Sequence, residues 1–189
     1  GEQLIMTYDA FAARLVAVDG LRIGVEGDAR MLTGAARFRI ASRVVAAAPG
    51  PFHQLARLRP ESVTDKVLAL DGDLASHLVA TDAVVAHTVE FLSEVEQSPR
   101  SRTKDLYASL KKAAAAAAER VEVAGLVDGY QRLKRELGAV EFADQMGVAA
   151  ELARTVPSVG ALLREQFAVV LLDEYQDTSS AQAELLRAL

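Results

Sequence analysis

The sequence contains no cysteine. Disulfides and thiolate metal centres are therefore excluded, and a reducing compartment is compatible with the chain. It has no apolar run approaching the ~20 residues that cross a bilayer. No charged-then-apolar segment near its start marks export. It has no Gly-x-x-x-x-Gly-Lys-Ser/Thr loop, so the backbone cradle that such a loop builds for nucleotide phosphates is missing from it. The three histidines, His53, His77 and His87, lack metal-ligand spacing and read as surface or helix-packing residues. Nor is positive charge in excess. With 21 basic and 26 acidic residues the net charge is −5, which argues against a protein dominated by one basic face. Ser, His and Asp all occur, but no spacing assembles them as a hydrolytic triad.

What is present is enough for a core. The chain has 189 residues and is 51% hydrophobic, although much of that is alanine, which buries little area per residue. The most informative stretch is Phe167-Ala168-Val169-Val170-Leu171-Leu172-Asp173-Glu174-Tyr175-Gln176-Asp177-Thr178-Ser179. The run from 168 to 172 is short, continuous and rich in branched residues, which predicts a strand buried on both faces, as in a parallel sheet. Two adjacent carboxylates then fall at the C-terminal end of that strand, where open α/β sheets bind ligands. Asp173 is suited to Mg²⁺, a cation that prefers hard oxygen ligands. Glu174 is placed to orient or deprotonate an attacking water. The plain alternative is a solvated acidic turn followed by a helix cap.

The rest of the chain reads as helix. Leu4 to Met6 is a brief apolar run and a candidate strand end. Thr7 is a candidate cap for a helix reaching about Val18, with Phe11, Leu15 and Val18 on one face, and Gly20 stops it. Residues 21 to 31 read as loop. A helix after Thr33 carries Phe38, Ile40, Val44 and Val45 and ends before Pro49-Gly50-Pro51. A helix from Ser62 is predicted from the Ser62…Asp65 spacing, with Val67, Leu70, Leu74 and Leu78 as its stripe. Another runs from Thr81-Asp82 to about Glu96. Residues 97 to 103 read as a linker. A long helix spans 104 to 137, carrying six consecutive alanines and broken near Gly125, with Gly138 as its cap. Helices over 141 to 154, before Ala168, and from Ser179 or Ser180 to the chain end complete the reading. The fold class is mostly α with one or two strands. A parallel sheet cannot be built from two strands, so the chain reads as a piece of a longer protein.

Asp173-Glu174-Tyr175-Gln176-Asp177-Thr178-Ser179, followed by Gln182 and the Leu185-Leu186 pair, resembles motif II of superfamily 1 DNA helicases of the UvrD/Rep/PcrA type. Two further segments match in order. Thr7-Tyr8-Asp9-Ala10-Phe11 resembles motif Ib, with Asp9 where histidine is usual. Gly138-Ala139-Val140-Glu141-Phe142-Ala143-Asp144 resembles the segment that precedes motif II, with Glu141 as an acidic helix start and Phe142 expected in the core. The resemblance covers essentially the whole chain.

It implies a helical 1B-type subdomain with flanking pieces of a P-loop α/β (RecA-like) domain. Residues 1–20 would be an end piece of ATPase domain 1A, 21–137 the 1B subdomain, and 138–189 the return into 1A. It implies Asp173 as the metal ligand and Glu174 as the base, supported by Gln176, Asp177 and Gln182. ATP and Mg²⁺ are implied for the full-length protein, and neither is expected to bind the piece tightly. The implied partners are single-stranded DNA and the single-strand/duplex junction, with a cytoplasmic, bacterial setting and no membrane.

Candidate DNA contacts are Thr7, Tyr8, Arg100, Arg102, Lys104 and Lys111. The Arg100 to Lys112 set, with Tyr107 among it, reads either as a solvated helix surface or as a face that meets phosphates. Arg132, Lys134 and Arg135 read as an ordinary exposed face. Two alternatives stand beside the helicase motor. One is the helicase component of a RecB/AddA-like helicase–nuclease, with a partner subunit. The other is a non-catalytic helical interaction module.

Overall fold

The computed structural model describes residues 4–25, 29–100 and 105–189. Among the described residues, eight α-helices and two short strands follow one another as α1 Tyr8–Asp19, β1 Arg30–Met31, α2 Gly34–Ala47, α3 Pro60–His77, α4 Thr81–Gln97, α5 Ala108–Glu136, β2 Ala139–Val140, α6 Phe142–Thr155, α7 Pro157–Gln166 and α8 Ser180–Arg187. The mostly helical class is as expected, but the strands are not where the sequence placed them. Residues 4–6 and 168–172 form no strand. The sheet among the described residues is the parallel pair β1–β2, in register Arg30↔Ala139 and Met31↔Val140.

Local chemistry explains most helix ends. Thr7 caps α1, its Oγ1 accepting from the Ala10 N–H at 3.2 Å. Glu141 and Asp144 form a capping box at the start of α6, and Ser179 and Gln182 form one at the start of α8. Pro157 occupies the first turn of α7, where its missing N–H is no loss. Gly138 adopts φ +59, the left-handed conformation that ends α5, and its carbonyl accepts from the Arg30 N–H at 2.9 Å, which turns the chain into the sheet. Three expected ends moved. The third helix begins at Pro60, two residues before the expected Ser62. Ala80, with no side-chain bond, precedes α4. And α5 runs unbroken through Gly125, since tertiary packing outweighs the roughly 1 kcal/mol that a helical glycine costs.

The chain divides into two compact units. The first comprises Gly1–Thr33, Gly72–Leu78 and Leu137–Leu189. Its core is a helical cluster in which Ala12, Leu15 and Val16 of α1 meet Met146, Ala149, Leu152 and Ala153 of α6, Val159 and Leu163 of α7, and Ala181 and Leu185 of α8. These positions recur at i, i+3 and i+4, the spacing of a single buried stripe. Val18 is not part of that stripe and is 74% exposed; Val16 holds the place assigned to it. Phe142, the first residue of α6, is likewise exposed, which corrects the expected core position.

The second unit comprises Gly34–Asp71 and Val79–Glu136. Helix α5 packs on both α2 and α4, burying Val123, Ala124, Leu126, Val127 and Tyr130. The expected exposed basic face at 132–135 is corrected at its centre. Lys134 is only 3% exposed. Its Nζ donates to Asp71 Oδ2 at 2.8 Å and lies 4.8 Å from the Tyr130 ring centroid, while Gln131 Nε2 donates to Asp71 Oδ1 at 2.9 Å. The pair, the amide and the ring together satisfy a charge that would otherwise be expelled from the interior. Buried Thr64 and Thr88 donate to carbonyls one turn back, Pro60 O and Val84 O.

Glu122 pins the segment after the Pro49-Gly50-Pro51 break to α5. Its carboxylate accepts from the N–H groups of His53 at 2.8 Å, Gln54 at 3.0 Å and Leu55 at 2.9 Å. Burial pushes this carboxyl up, but the Leu55, Gln54 and His53 backbone bonds and the charge of His53 outweigh burial and hold it below the ordinary glutamate value of 4.5. A depressed carboxylate contributes stability above its unfolded value and loses it as pH falls through the folded value. Glu122→Gln is therefore expected to lower stability at pH 7, with the gap to wild type closing below pH 4.5. Urea unfolding of both proteins across that range checks it. A gap that persists unchanged into acid would show that the charge of Glu122 contributes nothing.

Candidate functional site

The acidic pair lies in the first unit, between α7 and α8. After Phe167 the chain leaves the core as an apolar run with no partner strand among the described residues. Val169 is 75% exposed, Val170 42%, Leu171 89% and Leu172 42%. This corrects the expected buried strand. A strand buried on both faces needs neighbours to take its N–H and C=O groups, and the described residues place none beside it. The run instead shares a groove of about 270 Å³ with Leu4, Met6, Tyr8 and Phe11, and Asp173 stands at its end.

Asp173 and Glu174 are both exposed and begin a tight turn. Glu174 has φ +50 and ψ +40, a left-handed conformation unusual for a side chain with a Cβ. Asp173 Oδ1 accepts from the Glu174 N–H at 3.0 Å, and Gln176 Nε2 donates to Glu174 Oε2. The Glu174 carbonyl accepts from the Asp177 N–H at 2.9 Å, closing a single 3₁₀ turn over Tyr175–Asp177. Helix α8 then starts at once, with Gln182 engaged in its capping box. Five of the residues expected at the site, Asp173, Glu174, Gln176, Asp177 and Gln182, are thus held together by one turn and one cap. Backbone strain of this kind clusters where a site needs a fixed carboxylate direction.

Among the described residues no three His, Asp or Glu side chains gather into a cage for a cation. Mg²⁺ does not require one, since it is usually held by one or two carboxylates together with substrate phosphates and water. The two exposed carboxylates at 173 and 174 fit that mode.

Of the expected DNA-side residues, Thr7 and Tyr8 line the same groove as Asp173. The Thr7 hydroxyl is used as a helix cap. Tyr8 is half-buried against the core of its unit, with its hydroxyl buried and unpaired. Arg100 folds back, Nη2 donating to the Glu96 carbonyl at 2.7 Å. Lys111 is 3.6 Å from Asp105 Oδ1, both largely exposed. Arg102 and Lys104 lie outside the described residues. Charge, however, is divided unequally. Residues 34–71 and 79–136 carry 15 Lys and Arg against 12 Asp and Glu, net +3; the remaining residues carry 6 against 14, net −8, and together these make the chain's −5.

Among the pairings that sequence reasoning missed are Asp71 with Lys134 and His77 with Ser180. The latter join at 3.3 Å between His77 Nδ1 and Ser180 Oγ. Partners 63 and 103 positions apart leave no local signal.

Known proteins resemble parts of this chain. A segment of 67 residues is 40% identical to the ATP-dependent DNA helicase UvrD1 of Mycobacterium tuberculosis, and equally to that of Mycobacterium bovis, covering 35% of this chain and 9% of each relative. A segment of 63 residues is 38% identical to an ATP-dependent helicase/nuclease subunit of Streptococcus pneumoniae, covering 33% of this chain and 5% of that protein. The matched segments are thus small parts of much longer relatives. The family model of the UvrD/REP helicase N-terminal domain matches residues 2–189. Matched over nearly its whole length, the chain belongs to the UvrD/REP helicase N-terminal domain family.

Proposed function

We propose that the chain is a segment of a longer ATP-dependent DNA helicase, supplying the acidic turn of the ATPase site and a helical 1B-type subdomain on the DNA side. The observation that carries this reading is the turn at Asp173-Glu174: two exposed carboxylates, Glu174 in a left-handed backbone conformation and bonded by Gln176, with the capped helix α8 following. Asp173 holds the Mg²⁺ of bound MgATP. Glu174 orients the attacking water and takes its proton. The ion, when bound, would neutralise charge on the phosphates. Gln176 keeps the Glu174 carboxylate directed, and the exposure of the pair leaves room for phosphate and water.

The chain itself offers no phosphate loop, so the other grips on the nucleotide lie elsewhere in the full-length protein. The net +3 of residues 34–71 and 79–136 supports a DNA-facing role for that unit, with Arg100, Arg102, Lys104 and Lys111 among its phosphate contacts. Thr7 and Tyr8 stand at the start of α1 as further DNA contacts. The similarity to a helicase/nuclease component supports a second reading, in which the full-length protein is the helicase part of a helicase–nuclease and has a partner subunit.

Two measurements test the proposal. The full-length protein is expected to hydrolyse ATP faster with single-stranded DNA than without it, and to separate a tailed duplex only when MgATP is present. A purified full-length protein that does neither would overturn the reading in favour of a helical interaction module. The 189-residue chain alone is expected to show no micromolar binding of MgATP by isothermal titration. Tight binding there would mean that the nucleotide is gripped by residues of this chain.

A further inference from the structure

Helix α3 is the one helix among the described residues that is shared between the two units: Pro60 to Asp71 belong to the second, and Gly72 to His77 to the first. Its last turns are anchored within the first unit. Leu74 is 5% exposed. His77 Nδ1 meets Ser180 Oγ at 3.3 Å, a bond that forms with either imidazole tautomer because the hydroxyl both donates and accepts. Ser180 opens α8, directly after its cap Ser179 and within the Ser179–Gln182 capping box, six positions beyond Glu174. Leu78 then ends the helix with φ +56, and its Cδ2 lies 3.6 Å from where a Cβ on Gly147 of α6 would stand.

Leu78 and Glu174 are the two non-glycine residues with positive φ among the described residues. A leucine has no side-chain bond to offset that unfavourable conformation. It persists because the surrounding packing holds it. One strained residue thus ends α3 beside the His77 contact, and the other opens the acidic turn whose following helix His77 touches.

We infer that His77 is a positioning residue that couples the acidic turn to α3. It does not touch nucleotide. It fixes the first turn of α8, and through the cap at Ser179 the loop that carries Glu174. This inference rests on the assignment of Asp173 and Glu174 proposed above. The contact spans 103 positions of sequence and joins no residue of the motif itself.

The test is a double-mutant cycle in the full-length protein, read as ATP turnover at saturating single-stranded DNA. His77→Ala and Ser180→Ala are each expected to lower kcat by roughly threefold to tenfold, the range of one net hydrogen bond, while KM for MgATP moves less than about twofold. The double variant is expected to lose no more than either single one, since both remove the same bond. His77→Asn, which keeps a polar group close to the position of Nδ1, is expected to recover most of the loss. Unchanged DNA-stimulated kcat in His77→Ala, or losses that add in the double variant, would overturn the coupling. A Glu174→Gln protein run in parallel separates the two ideas. If it is inactive while His77→Ala is normal, the coupling alone fails. If it turns over ATP normally, the site assignment fails whatever His77 does.

Discussion

Glu174→Gln in the full-length protein is expected to reduce ATP turnover by about a hundredfold to ten-thousandfold, the range attributed to a positioned proton acceptor. MgATP binding is expected to survive, because glutamine preserves the shape of the side chain and Asp173 is untouched. The Gln176 amide, which donates to Glu174 Oε2, would still meet a carbonyl oxygen, so the turn should keep its form. The left-handed φ of +50 at this position belongs to the backbone and not to the carboxylate, and the variant is therefore no more strained than the wild type. Steady-state turnover with and without DNA, alongside fluorescence titration of a nucleotide analogue, checks both halves. Turnover within a few-fold of wild type would show that another group takes the proton.

The second large effect is on stability. Asp71→Ala is expected to destabilise the second unit by about 3–5 kcal/mol, because it leaves the Lys134 ammonium in the interior without its carboxylate. The Tyr130 ring stays beside Lys134, but a cation–π contact contributes only about 1–2 kcal/mol and does not replace an ion pair. Gln131 would lose its acceptor at the same time. By contrast, replacing both charges together, Asp71→Leu with Lys134→Met, is expected to lie within about 1–2 kcal/mol of wild type, since paired replacement by apolar groups of similar volume is often neutral. Urea unfolding followed by circular dichroism distinguishes the two. A mild effect of Asp71→Ala would mean that Lys134 reaches water once the aspartate is gone.

What the sequence made legible was local. Thr7, Ser179 (offered beside Ser180) and the Pro49-Gly50-Pro51 break act within a few residues of themselves, and the structure places a cap or a stop at each. The capping box at α6 used Glu141 and Asp144, residues already singled out as an acidic helix start. The acidic pair was expected at the end of a buried strand, and the structure instead shows the plain alternative, an exposed acidic turn followed by a helix cap. What failed was whatever depends on distant partners. Residues 168–172 have the composition of a buried strand, but a strand exists only where neighbours pair with it. The real sheet uses two-residue segments, too short to carry a periodic signal. Lys134 sits in a basic, charged stretch and reads as solvent-facing until Asp71 is brought to it by the packing of α3. Phe142 reads as core by its chemistry, yet it opens α6 with its ring exposed, since which face of a helix's first turn meets the core is set by tertiary packing. The helical stripe on α1 was displaced by two residues, from Val18 to Val16, since a 12-residue helix leaves room for more than one apolar face.

The central claim is that Asp173 and Glu174 face the phosphates of MgATP. It is tested most directly by a crystal structure of the full-length protein with Mg²⁺ and a non-hydrolysable ATP analogue. The account predicts an Asp173 oxygen on the ion at about 2.0–2.1 Å or one water removed, the Glu174 carboxylate beside the terminal phosphate, and residues 168–172 paired with strands from elsewhere in the protein. A nucleotide bound with its ion held by other carboxylates, and with the 173–174 turn facing solvent, would contradict it.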